Sequence, residues 1–284
     1  MSALEPAVHD EDGVGRHRAT HADAHTAPTT GQAARERRPG GLSSALTAAT
    51  ARRVLTQLRH DKRTIALVVL LPCLLIGLIA WMFNGTPVLD QFGPLLVGLF
   101  PLVVMFLVTS VATLRERTSG TLERLMTLPI GRGDVVVGYA LAFAVLATVQ
   151  ALVIVGFAVW VCGMDVAGPI GLVILVAVLD AVLGCALGLG ASALAKTEFQ
   201  AVQLMPLVLF PQLITCGLLM PRDEMPTILE WISRVLPLTY ALDAMQQLAA
   251  GATWVDVRGD VGVIALFIVG ALLVGGATLR RRTP

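Results

Sequence analysis

Three constellations in this chain have residue types and spacings that could do chemistry. Gly190-Ala-Ser-Ala-Leu-Ala195-Lys196-Thr197 comes one residue short of a phosphate-cradling loop, with Ala195 where the second glycine belongs. That loop needs a preceding strand and glycine backbone whose N–H groups can surround a phosphate. Here the residues close a long apolar run, so a nucleotide site is rejected. His17, His21 and His25 are spaced by four and would align three imidazoles on one face of a helix, a set that could bind a metal. Pro28 and the surrounding Ala, Thr and Gly hardly fix a helix there, and a solvated tail is the plainer reading. Asp180 is the acid that falls near the middle of an apolar run. A charge in that setting is expensive enough to suggest a proton relay or a substrate contact, against the alternatives of a protonated acid or a hydrogen bond to a neighbouring helix. Gly184, Gly188 and Ala191 share a stripe that permits close helix contact, so Asp180 is expected to face protein.

No histidine follows His60, and no Ser/His/Asp, Cys/His or paired-carboxylate set is evident, so a stand-alone enzyme is not expected. Cys73, Cys162, Cys185 and Cys216 lie in or at the ends of apolar runs without metal-ligand spacing. They read as reduced packing residues, Cys162 and Cys216 being the pair that could meet near the outer surface.

The elements that must position Asp180 follow from composition. The 284 residues are 55% hydrophobic and 14% charged, with a mean hydropathy of +0.75. Soluble domains carry about 25% charged residues, so much of this apolar surface must face lipid. A net charge of +1 and the lack of basic patches interleaved with aromatics argue against nucleic acid.

Apolar runs long enough to cross a bilayer place spans at about 65–83, 93–114, 135–161, 168–195, 199–219 and 259–279. Pro72, Pro94, Pro101, Pro206 and Pro211 fall inside them, and kinks are expected in the second and fifth. Of 21 Lys and Arg, ten precede the first span, four follow the second, Lys196 follows the fourth, and Arg280, Arg281 and Arg282 close the chain. By the positive-inside rule both termini are cytoplasmic, which needs an even number of spans.

Three segments do more than span. Residues 1–41 read as a polar cytoplasmic tail with no secretory h-region. Within 42–63, residues 44–60 suit a basic amphipathic helix at the membrane interface, with Ala48, Ala51, Val54, Leu55 and Leu58 on one face and Arg53, Gln57 and His60 on the other. Residues 115–139 carry Leu122, Leu125 and Met126 at helical spacing before Pro129, which predicts a short helix across the end of the bundle, presenting apolar knobs and charges to a partner. The stretch after the fifth span is too polar to cross and too apolar for an ordinary loop. Ile228, Trp231, Ile232 and Val235 form one stripe, Glu230 can pair with Arg234, and a second helix follows Pro237. A hairpin dipping back into the outer leaflet is expected, with a surface cap as the alternative.

At these residues the chain resembles the ABC-type-2 permease family, above all the daunorubicin-type drug-resistance permeases, over about residues 45–280. The resemblance is carried by Glu116, Gly120, Thr121, Leu122, Glu123 and Pro129 in the family's order, by Ser192 to Glu198, and by Gly217, Pro221, Met225-Pro226, Trp231 and Leu236-Pro237-Leu-Thr-Tyr240. Where the family often has Gly-Lys, this chain has Gly138-Tyr139. The resemblance implies an all-α integral membrane protein. It would have six transmembrane helices occupying 64–284, an N-terminal amphipathic interfacial helix, a cytoplasmic coupling helix and a re-entrant outer helical hairpin. It implies that Glu116, Gly120, Thr121, Leu122, Glu123, Leu125, Met126 and Pro129 meet a separate ATPase, and that Pro221, Pro226, Trp231, Pro237 and Tyr240 belong to the outer gate. ATP and Mg would be bound by two such partner subunits and no cofactor by this chain, with the permease working as a homodimer or a heterodimer in a bacterial plasma membrane. The expected function is export of a hydrophobic or amphipathic compound. An ion-coupled secondary transporter using Asp180 and a non-transporting scaffold are the alternatives.

Overall fold

The structure is a computed structural model that describes residues 43–120, 132–217, 220 and 224–280. Among these residues every regular element is helical. In chain order they are α1 (Ser44–His60), α2 (Lys62–Met82), α3 (Val88–Thr118), α4 (Arg132–Gly156), α5 (Ile170–Leu194), α6 (Glu198–Thr215), α7 (Thr227–Val235), α8 (Pro237–Ala249) and α9 (Trp254–Arg280), with a π-helical turn, Phe157–Val161, extending α4.

The helices start and stop for local reasons. Asp61 caps α2, accepting bonds from the Thr64 amide (3.2 Å) and hydroxyl (2.6 Å). Those bonds hold its carboxyl below the ordinary carboxylate range. Thr197 caps α6 through the Gln200 amide at 3.2 Å, and Pro237 opens α8, where its missing N–H costs nothing. Gly120, just past the last turn of α3, has φ +70°, a conformation that strains any residue with a Cβ.

Five of the helices are long and apolar enough to cross a membrane: α2, α3, α4 with its π turn, α5 and α9. The sixth expected crossing corresponds to α6, which has 18 residues and carries Gln200, Gln203 and Gln212 besides Pro206 and Pro211. The helices run on through these prolines and through Pro72, Pro94 and Pro101. Leu67, Leu70, Leu74 and Leu78 of α2 and Leu266, Leu273 and Val274 of α9 are exposed, the pattern of a bundle whose outer surface meets lipid rather than water.

At the centre lies α5, buried between Val173 and Ala193 against α3, α4 and α9. It packs on α3 through glycine: a Cβ on Gly184 would strike the Leu102 carbonyl, and one on Gly188 the Phe106 carbonyl. Without side chains there, the two backbones meet directly, which is how helices associate where no water is available to drive them together.

At the other end of the bundle, α8 buries Leu238, Leu242, Met245 and Leu248. Gln212 of α6 ties it in, its side-chain oxygen accepting the Leu238 amide at 3.3 Å. By contrast α7 leaves Ile228, Trp231, Ile232 and Val235 exposed. Arg234 pairs with Glu230 and lies 5.3 Å over the Trp231 ring, while the Tyr240 hydroxyl donates to the Arg234 carbonyl at 2.6 Å.

Candidate functional site

Several polar side chains, among them the buried Thr50, Glu116 and Asp134, gather at the end of the bundle that carries α1. The apolar stripe of α1, Ala51, Val54 and Leu58, packs into one cluster with Val135, Tyr139, Ala142 and Phe143 of α4 and Val68 of α2. Ala48, expected on that stripe, is exposed, while Thr50 takes its place in the contact. The reason is Gly138: a Cβ there would sit 2.7 Å from Thr50 Cβ and 3.0 Å from the Thr47 carbonyl oxygen, so α1 crosses α4 at its glycine.

Two polar ties fix that crossing. Near the start of α1, Asp134, 1% exposed, accepts the Ser43 amide at 2.6 Å and the Thr47 hydroxyl at 2.9 Å on the same oxygen. One and a half turns on, Arg53 donates from Nη2 to Glu116 Oε2 at 3.1 Å and to the Tyr139 hydroxyl at 2.7 Å. Arg53 thereby joins α1, α3 and α4 in one node. Glu116 is itself buried at 7% exposure, and a carboxylate so placed is tolerated because a guanidinium meets it. Beneath the node lies a cavity of about 110 Å³, floored by Val108, Val111 and Phe143 and edged by Asp61, Glu116 and Tyr139.

Beside it, Arg115 makes a two-pronged contact to Glu198 (2.9 and 3.0 Å), joining the end of α3 to the start of α6. Both side chains are more than half exposed, so the pair is screened and worth only about 0.2–1 kcal/mol. Arg115→Ala should therefore lower thermal stability only slightly, and the difference should vanish in 0.5 M salt, about the regime where the Debye length is a few Å. A large, salt-insensitive loss in a melting experiment would contradict this.

Of the residues expected to meet a partner, Glu116 and Gly120 stand at this corner, at the C-terminal end of α3. Thr121, Leu122, Glu123, Leu125, Met126 and Pro129 lie outside the described residues. Asp180 is elsewhere: it is wholly buried midway along α5, and among the described residues neither carboxyl oxygen has a hydrogen-bond partner. Of the outer set, Pro226 precedes α7, Trp231 is 64% exposed on it, Pro237 and Tyr240 belong to α8, and Pro221 lies outside the described residues. Cys73, Cys185 and Cys216 are buried and Cys162 half-buried, none of them in a disulfide.

Sequence reasoning missed the roles of Arg53 and Asp134. The helical period sets Arg53 on the polar face of α1, yet its long side chain folds back to reach Glu116, as arginine stems allow. The available signal was Gly138-Tyr139, a helix-contact glycine next to a hydroxyl able to accept from an arginine.

An α-helical membrane body with a polar, tightly tied amphipathic helix at one end is the architecture of a multi-pass membrane protein. The chain belongs to the ABC-2 type transporter family, whose family model matches residues 44–249, from the first residue of α1 to the last of α8. Similar curated proteins include ABC transporter G family member 20 of Dictyostelium discoideum, 33% identical over 160 residues, 56% of this chain and 22% of that protein. A probable multidrug ABC transporter permease of Escherichia coli strain K12, YbhR, is 26% identical over 155 residues, 55% of this chain and 42% of its own length. The linearmycin resistance permease protein LnrN of Bacillus subtilis strain 168 is 27% identical over 169 residues, 59% and 43% respectively. The matched stretches thus span less than half the length of each of these relatives.

Proposed function

We propose that this chain is the transmembrane permease of an ATP-driven exporter that moves a hydrophobic or amphipathic compound, a drug, antibiotic or lipid, out of a bacterial cell. In this reading α6 completes six crossings, both termini and α1 face the cytoplasm, and α7–α8 form a re-entrant gate at the outer surface. The permease works as a homodimer or with a related permease, and two separate ATPase subunits bind ATP and Mg. The observation that carries the reading is the node of Arg53, Glu116 and Tyr139. It ties α1, α3 and α4 together around the chain ends from which residues 121–131 depart, so a force applied to that segment would be delivered to three helices at once. The relatives named as multidrug and linearmycin resistance permeases support the substrate class.

Two experiments test it. Transport measured in cells carrying the partner ATPase should disappear when that ATPase's catalytic glutamate is replaced, and should survive an uncoupler. Glu123→Arg should leave the chain inserted in the membrane but reduce copurification of the ATPase at least tenfold; unchanged copurification and transport would remove the segment's assigned role.

A second reading has one observation in its favour, the fully buried carboxyl of Asp180, without a hydrogen-bond partner among the described residues. An ion-coupled transporter would use that group, and its transport would persist without any ATPase and collapse with the uncoupler.

A further inference from the structure

We infer that the elbow between α1 and α2 is a phospholipid site, where Arg59, Lys62 and Arg63 hold the phosphate of an anionic lipid whose acyl chain lies along the exposed leucine stripe of α2. Four cations, Arg52, Arg59, Lys62 and Arg63, stand exposed between residues 52 and 63. Arg53, Arg115 and Arg234 each meet a carboxylate, whereas these four meet none among the described residues. The elbow's own acid, Asp61, is turned to other work. It edges the cavity floored by Phe143, and both of its oxygens accept from Thr64. The cluster is thus left to a counterion from outside the described chain.

What that counterion is follows from the stripe these cations head. At 3.6 residues per turn, Arg63, Leu67, Leu70, Leu74, Leu78 and Trp81 share one face of α2. The four leucines and Trp81 are exposed, while Val68, Pro72, Cys73 and Ile76 are buried on the opposite side. Arg63 and Trp81 are five turns apart, about 27 Å, close to the roughly 30 Å of a bilayer's hydrocarbon. A cation at one end of an apolar face and a tryptophan at the other are the side chains that settle at the two headgroup levels. Leu67 then lies about 6 Å past Arg63 along the axis, the first apolar contact beneath a phosphate gripped at the elbow. Lys62 adjoins Arg63, and Arg59 stands just across the turn in which the Asp61 amide donates to the Leu58 carbonyl at 3.0 Å. The turn therefore gathers three cations at one depth of the bilayer. Charge alone would draw any anion; the leucine face selects a phosphate that carries acyl chains, and the missing counterion favours an anionic lipid over a zwitterionic one. The site requires a chain embedded in lipid and is independent of the export reading above.

The test uses the purified full chain, native mass spectrometry, and phosphatidylglycerol and phosphatidylcholine as probes. The unaltered protein should retain phosphatidylglycerol about tenfold better than phosphatidylcholine at equal lipid concentration. Lys62→Gln combined with Arg63→Gln should lower that preference about fivefold, and Arg59→Gln alone, which lies outside the span, about twofold, both with the circular dichroism melting profile unchanged. Arg258→Gln removes an exposed cation at the start of α9 and should leave the preference as it was. Inorganic phosphate in large excess over lipid should displace none of the phosphatidylglycerol. Equal retention of both lipids by the unaltered chain, or an undiminished preference in the folded Lys62 and Arg63 double variant, overturns the inference. So does displacement by inorganic phosphate, which would make the elbow a site for soluble anions.

Discussion

Gly184→Val should abolish accumulation of folded protein, seen as loss of the monodisperse peak in detergent size-exclusion chromatography of membrane extracts. The Cβ of any residue at this position collides with the carbonyl of Leu102 and comes within 2.9 Å of the Leu102 Cα. These are backbone atoms of a helix buried on the same face, so neither can swing aside as a side-chain tip would. The helices must separate along the whole contact, opening space around Leu183, Ala186 and Leu102, all wholly buried. Overpacking a core costs about 1–3 kcal/mol even where the surroundings relax, and lost contacts along the crossing add to it. Gly190→Leu, six residues away on the same helix and meeting open space, is the control: it should accumulate normally. Equal behaviour of the two variants would mean that α3 and α5 are not in backbone contact.

Arg53→Ala should be the most damaging single change at the polar corner. It leaves Glu116, whose side chain is 9% exposed, without its cation, and Tyr139 without its donor. Removing one partner of a fully buried pair costs about 3–5 kcal/mol. The Arg53 side chain is 35% exposed, so water can partly replace it and about 1–3 kcal/mol is expected. Glu116→Gln should cost less, since an amide oxygen still accepts from the guanidinium. The paired change Arg53→Met with Glu116→Leu should recover most of the stability lost in Arg53→Ala, because no uncompensated charge remains. Thermal melting of the unaltered protein, Arg53→Met, Glu116→Leu and the paired variant forms a double-mutant cycle; coupling below about 0.3 kcal/mol would show that the node contributes nothing. Transport by the paired variant should stay low even where stability returns, because α1 would be held only by its apolar stripe and Asp134.

The hydrophobic skeleton of this fold was legible from the residues. Lipid demands long apolar helices, so runs such as 168–195 announced α5 almost to its ends, and the 44–60 amphipathic pattern announced α1. The stripe of Gly184, Gly188 and Ala191 correctly predicted a tight contact for α5. The partner of that contact was not legible, because glycine records that something approaches and not which helix does. The span expected at 199–219 falls on α6, which is not among the helices long and apolar enough to cross: three glutamines and two prolines lower its hydropathy, and Gln212 holds the Leu238 amide of α8. Polar roles were the least legible. Arg53 reads as a solvent-face residue by helical period alone, and only the approach of α3 and α4, distant by 63 and 86 residues, gives it partners. Asp134, to which the residue pattern assigns no role, is buried because Ser43 and Thr47 cross above it.

The seat of α1 on Gly138 has a cooperative consequence. Because its apolar stripe, the bonds to Asp134 and the Arg53 node all depend on that single crossing, α1 cannot fray from one end while the other stays docked without stranding a carboxylate. Its release should be one all-or-none excursion, and amide protons of α1 and of the first two turns of α4 should exchange with solvent deuterium at a common rate. The same excursion would strip Val54, Gln57 and Leu58 from the wall of the pocket above Phe143, so the shape of that space and the seating of α1 are one equilibrium.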